Sequence, residues 1–106
     1  MSDVRKSFDF TAYISRQPGG APILHVHGTC EMPMAGYRLV LQPLVPQGTN
    51  PTILILQLIE QKPESGAEVV TNTPVAYTQS VDGLEYPILE VHITPINTKI
   101  RVHEVR

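Results

Sequence analysis

An all-β fold is what this sequence predicts, on three observations. Apolar and polar residues alternate with period two in one segment after another, proline and glycine cut the chain into short pieces, and no stretch shows helical spacing. Ten prolines and seven glycines in 106 residues disfavour a long helix anywhere. The expected architecture is a single domain, residues 1–106, of about seven antiparallel strands stacked as a two-sheet sandwich.

Each element follows from its own alternation. Phe8, Phe10, Ala12 and Ile14 form one apolar face, with Asp9, Thr11, Tyr13 and Ser15 opposite, and Gln17-Pro18-Gly19-Gly20 ends the first strand. In the second, Leu24 and Val26 face one way while His25 and His27 face the other. The third alternates Tyr37, Leu39 and Leu41 with Arg38, Val40 and Gln42, and Pro43 and Pro46 close it. A fourth spans Thr52 to Lys62 and stops at Pro63. The Val- and Thr-rich segment from Glu68 to Val81 favours extended structure, but Pro74 cannot donate to a ladder, which places this fifth strand at an edge or a bulge. After the Asp82-Gly83 turn a sixth strand buries Leu89, Val91 and Ile93 and exposes Glu90, His92 and Thr94. The last runs from Lys99 to Val105. A turn at Asn97-Thr98 would set Ile93 opposite Val102 and His92 opposite His103, leaving Glu104 on the core side near an open end. Strands at roughly ten-residue intervals point to a sandwich of immunoglobulin-like type.

Composition narrows the function by exclusion. Eight Lys and Arg against ten Asp and Glu, scattered without runs, give no electrostatic reason to expect nucleic acid or an anionic membrane. The longest apolar run, Ile53 to Leu56 resuming at Leu58 and Ile59, is less than half a membrane span. The basic amino-terminal residues are followed by no apolar stretch of signal-sequence length, so the chain reads as cytoplasmic. The single cysteine, Cys30, forms no internal disulfide and reads as a buried or half-buried spectator.

No nucleophile elbow, phosphate loop or acid/base carboxylate pair is present, so neither enzymatic activity nor a cofactor is expected. The histidines are the residues to test for a metal. His25 and His27 lie on one side of a strand, and Glu90, His92 and His103 would gather on another if the last two strands pair as above. With the second strand in one sheet and the last two in the other, these two groups would sit on opposite outer surfaces.

The fourth strand carries an anomaly. Leu54, Leu56 and Leu58 can face the core, which leaves Ile53, Ile55 and Ile59 on a face that should be polar. Something must cover them: the amino terminus, the loop from Pro43 to Pro51, or a second subunit or protein partner, of which a homo-oligomer is the simplest.

The connection Glu31-Met32-Pro33-Met34-Ala35-Gly36-Tyr37 is a proline-containing loop closed by Gly-Tyr on entry to a strand. It resembles the inhibitory loop of chagasin-type cysteine protease inhibitors, immunoglobulin-like domains that carry Asn-Pro-Thr-Thr-Gly-Tyr between the same two strands. Pro33, Gly36 and Tyr37 match, and the places of that family's two companion loops are Ser65-Gly66-Ala67 and Pro95-Ile96-Asn97-Thr98, neither of which has the family's motif. The resemblance implies a loop that enters a protease cleft; read from the residues alone, Met32 and Met34 would make an adaptable apolar tip suited to a partner's groove. The expectation as a whole is a non-catalytic protein-binding β-sandwich, acting through a loop end (Met32, Pro33, Met34, Gly36) or through the isoleucine face (Ile53, Ile55, Ile59).

Overall fold

A computed structural model describes residues 8–16 and 18–105. Among them there is no helix, and so none long and apolar enough to cross a membrane. Seven strands form: β1 (Phe8–Ser15), β2 (Ile23–Met32), β3 (Arg38–Pro43), β4 (Ile53–Gln61), β5 (Thr71–Ser80), β6 (Glu90–Thr94) and β7 (Thr98–Val105). They hydrogen-bond into one mixed sheet in the order β3-β4-β6-β7-β1-β2-β5. The sheet curls until it is nearly barrel-shaped, and its edge strands β3 and β5 lie near each other without a shared ladder.

The joint of this curl is β7. Its first half continues the β6 hairpin, with Glu90 opposite Arg101 and Ile93 opposite Thr98. Its second half runs parallel to β1, with Ala12 beside Val102 and Tyr13 beside His103. One strand thereby joins the two halves of the sheet, as strands do at the corners of orthogonal β packings. β4 also pairs with β6 in parallel, Leu54 beside Val91 and Leu56 beside Ile93. Two pairings therefore depart from the expected antiparallel sandwich. In the immunoglobulin arrangement the third strand would lie against the sixth, whereas here β4 takes that place.

Period-two alternation sorts the side chains as expected over most of the chain. Leu24, Val26, Cys30, Met32, Leu56, Val91 and Ile93 are fully buried, and Ala12, Ile14, Leu54 and Leu58 join them in one continuous core. No polar or charged side chain among the described residues is buried with them. β5 is an edge strand, as Pro74 requires, and buries only Val75 fully while Tyr77 packs against the core's margin. The Tyr77 hydroxyl donates to Gln79 Oε1 at 2.7 Å, and partial burial raises the phenol above its ordinary pKa of 10.0.

The β6–β7 register differs from the expected one. His92 faces Lys99, not His103, because the turn closes earlier, with Asn97 in the left-handed region at φ 57°. The slip is an even number of residues, so the faces stay right while the partners change. Glu104 does sit at the open end, exposed, where its carboxylate meets the Arg16 guanidinium at 3.2 Å.

Candidate functional site

The isoleucine face is less open than its sequence suggests. Ile53, Ile55 and Ile59 are half-buried, and the buried Leu54, Leu56 and Leu58 alternate with them. Part of the cover is the β3–β4 loop. β3 ends at Pro43, and beyond it the Leu44 N–H (to the Ile55 carbonyl, 3.0 Å) and the Gln47 side chain carry the contact with β4. Its amide nitrogen donates to the carbonyls of Ile55 (2.8 Å) and Leu44 (2.7 Å), while its oxygen accepts from the Ile55 N–H at 2.9 Å. This folds the loop against β4, where a Cβ on Gly48 would lie 3.2 Å from the Ile55 terminal methyl. Of the covers expected, the chain's own loop is present and the amino terminus lies outside the described residues; with the loop in place the stripe no longer demands a second subunit. We expect Gln47→Ala to cost about 2 kcal/mol, the worth of two or three ordinary hydrogen bonds, read from the urea midpoint at unchanged slope.

The loop singled out after β2 is divided between core and surface. Met32 is fully buried as the last residue of β2, opposite Thr71, so it belongs to the core and not to a loop tip. Pro33 and Gly36 are exposed and Met34 is half-buried. Gly36 takes φ +97°, which only glycine adopts readily, with Pro63 packed beside it. The Ala35 N–H donates to the Ala67 carbonyl at 3.0 Å, tying this loop to the β4–β5 connection. By strand direction, the β6–β7 turn at residues 95–97 lies at the same end.

The histidines regroup. His92 stands beside Ile55 and Lys99 and bonds Glu90 through Nε2 at 3.1 Å, whereas His103 stands beside Tyr13. The proposed metal triad Glu90, His92 and His103 is therefore not assembled, because the register that would join it does not form. Since β7 crosses to β1, His103 instead shares an outer face with His25 and His27. On that face the Tyr13 ring stacks on His25 with centroids 4.8 Å apart and meets His27 edge-on at 5.8 Å. His25 Nε2 bonds Ser15 Oγ at 3.0 Å, and Ser15 lies along β1 on the side away from His27. Among the described residues no group of three His, Cys, Asp or Glu side chains is placed to hold a metal ion. The row is explained as cross-strand aromatic pairing that stabilises the sheet.

The site that sequence reasoning missed lies at the opposite end of the barrel from residues 33–37. At the entry to β6, the Thr52 carbonyl accepts from two successive N–H groups, Leu89 at 2.8 Å and Glu90 at 3.2 Å. Two residues opposite one acceptor is a β-bulge, and it inserts one residue into the alternation. Ile88 and Val91 both point inward, while Leu89, expected in the core, is turned out and 55% exposed. It joins Leu84 (45%) and Tyr86 (50%) on the same β5–β6 loop.

Three depressions surround this loop. One, of ≈ 250 Å³, lies between the loop and the Arg16–Glu104 pair, floored by Ile14, Ile88 and Val102. A second, of ≈ 310 Å³, separates Leu84 and Tyr86 from Gly48, Asn50 and Pro51. A third, of ≈ 460 Å³, runs from Leu89 past Ile53 to Arg101. A larger depression, ≈ 550 Å³, is a shallow trough elsewhere, along Asp9, Thr11, His27 and Thr29 on the outer face of β1 and β2. It is open and lined by small side chains, with none of the exposed large apolar groups that gather around the β5–β6 loop. A sequence signal did exist for part of this loop: Leu84 and Tyr86 fall between the Asp82-Gly83 turn and Pro87, outside every strand that alternation marks, whereas Leu89 carried no such signal.

Comparison of the chain with protein-family models, with curated proteins and with solved structures returns no match.

Proposed function

We propose that this chain is a non-catalytic protein-binding module whose contact surface is the β5–β6 loop end, with Leu84, Tyr86 and Leu89 as its anchors. It is immunoglobulin-like only in plan, as two layers of strands with connecting loops gathered at both ends. The observation that carries the reading is the bulge at Leu89–Glu90. It takes a leucine whose alternation assigns it to the core and sets it on the surface beside an exposed tyrosine and a second leucine. Clustered apolar and aromatic groups bordered by grooves are what interfaces use as anchors, and loops carried on a rigid sheet are where binding residues concentrate.

The test is a quantitative pull-down from the source cells with the wild-type chain and with Tyr86→Ala/Leu89→Asn. Both positions are exposed, so the double variant should keep its unfolding midpoint within about 1 kcal/mol. A protein held by the wild type and lost on the variant supports the reading, and one held equally by both overturns it.

The other end supports a second reading, an inhibitor of papain-type proteases through residues 33–37. What favours it is the Ala35–Ala67 hydrogen bond, which places two of the three loops such a wedge needs side by side. The absence of inhibition at micromolar chain would remove it.

A further inference from the structure

Resting on the reading of the β5–β6 end as a contact surface, we infer that its partner is an extended protein segment presenting an apolar side chain next to a lysine or arginine. The shape argues first. The two depressions that flank Leu84 to Tyr86 are small, ≈ 250 and ≈ 310 Å³, and lie on either side of the loop instead of merging into one cavity. Two separated side-chain-sized recesses suit a chain that crosses the loop and drops a side chain into each. A compact small molecule would fill only one.

The surface chemistry argues second. The recess beside Leu89 has an apolar floor of Ile14, Ile88 and Val102, which would take an aliphatic or aromatic anchor. Its charged rim is Arg16, Glu85 and Glu104. Arg16 is already engaged by Glu104 at 3.2 Å, whereas Glu85 borders both recesses and makes no ion pair among the described residues. Asp82, on the same loop and also exposed, adds charge of the same sign. The rim is thus net negative around an apolar floor. It would repel a ligand carboxylate or phosphate and hold a basic side chain whose aliphatic stem lies along Leu84 and Tyr86.

The experiment is selection of a phage-displayed random peptide library on the full chain, with Glu85→Lys and Leu89→Asp as comparison surfaces. Both substitutions are at exposed positions and are checked for an unchanged unfolding midpoint. The expected result is enrichment of peptides carrying Lys or Arg near an apolar residue, bound about tenfold more weakly by Glu85→Lys, lost on Leu89→Asp, and weakened by added salt on the wild type. Acidic or uncharged peptides indifferent to Glu85→Lys but lost on Leu89→Asp would overturn this inference and leave the contact surface standing. Peptides indifferent to both variants, or no enrichment on the wild type, would overturn the inference together with the surface it rests on.

Discussion

Replacing Gly28 with alanine is expected to cost about 3 kcal/mol, a large share of the 5–15 kcal/mol that holds a domain of this kind folded. Gly28 sits mid-strand in β2 with its face toward the core, directly opposite Phe10 of β1. A Cβ there would lie 2.6 Å from Phe10 Cδ1 and 2.9 Å from Cγ, and would overlap the Asp9 carbonyl oxygen. The ring lies over the glycine, and aromatic cover of this kind is how a sheet makes up for a strand glycine's missing side chain. Phe10 is only partly buried and could swing aside, but the Asp9 carbonyl is backbone in a ladder of eight residue pairs and cannot move without parting β1 from β2. The urea midpoint should therefore fall sharply in Gly28→Ala, and the further change Phe10→Ala should not restore it. Wild-type stability in Gly28→Ala would mean that β1 and β2 do not pair in this register.

The faces of the strands were legible in the sequence, and the partners were not. His25 and His27 against Leu24 and Val26 follow from alternation alone, since each strand places successive side chains on opposite sides. Pairing is a different kind of information. Sliding β7 along β6 by an even number of residues moves every partner and no face, so His92 against Lys99 and His92 against His103 were equally consistent with the pattern. The crossing of β7 from β6 to β1 was hidden for the same reason, and it is what carried His103 to the face of His25 and Tyr13.

The candidate site was illegible for a more specific reason: its decisive bonds come from distant residues. Leu89 has the apolar character and the position of a core residue, and only the Thr52 carbonyl, at the mouth of a parallel neighbour, makes the bulge that turns it out. Gln47 likewise reads as an ordinary loop residue until its amide is seen bonding both backbone groups of Ile55 past the end of β3. Met32 reads as a loop residue because the apolar alternation of β2 breaks at Gly28. The strand continues for its length against β5, with Cys30 and Met32 keeping the inward parity.

That last placement makes the second large prediction. Met32→Ala should cost about 3 kcal/mol and Met34→Ala less than about 1 kcal/mol, although the two residues are nearly adjacent in the chain. Met32 is fully enclosed at the end of β2, so truncation leaves a cavity that the flanking ladder to Thr71 keeps from collapsing. Met34 lies past the end of that ladder in the loop, half-buried, where water or a rotamer change can fill the space. Urea unfolding of both variants at equal slope checks the difference. The comparison also bears on the protease-inhibitor reading, since a wedge tipped by both methionines requires Met32 to leave the core. A nearly neutral Met32→Ala would mean that β2 ends before this residue, freeing it to extend the apolar tip. The large cost expected here confines that tip to Pro33 and Met34, a much smaller surface than the one gathered around Leu89 at the other end.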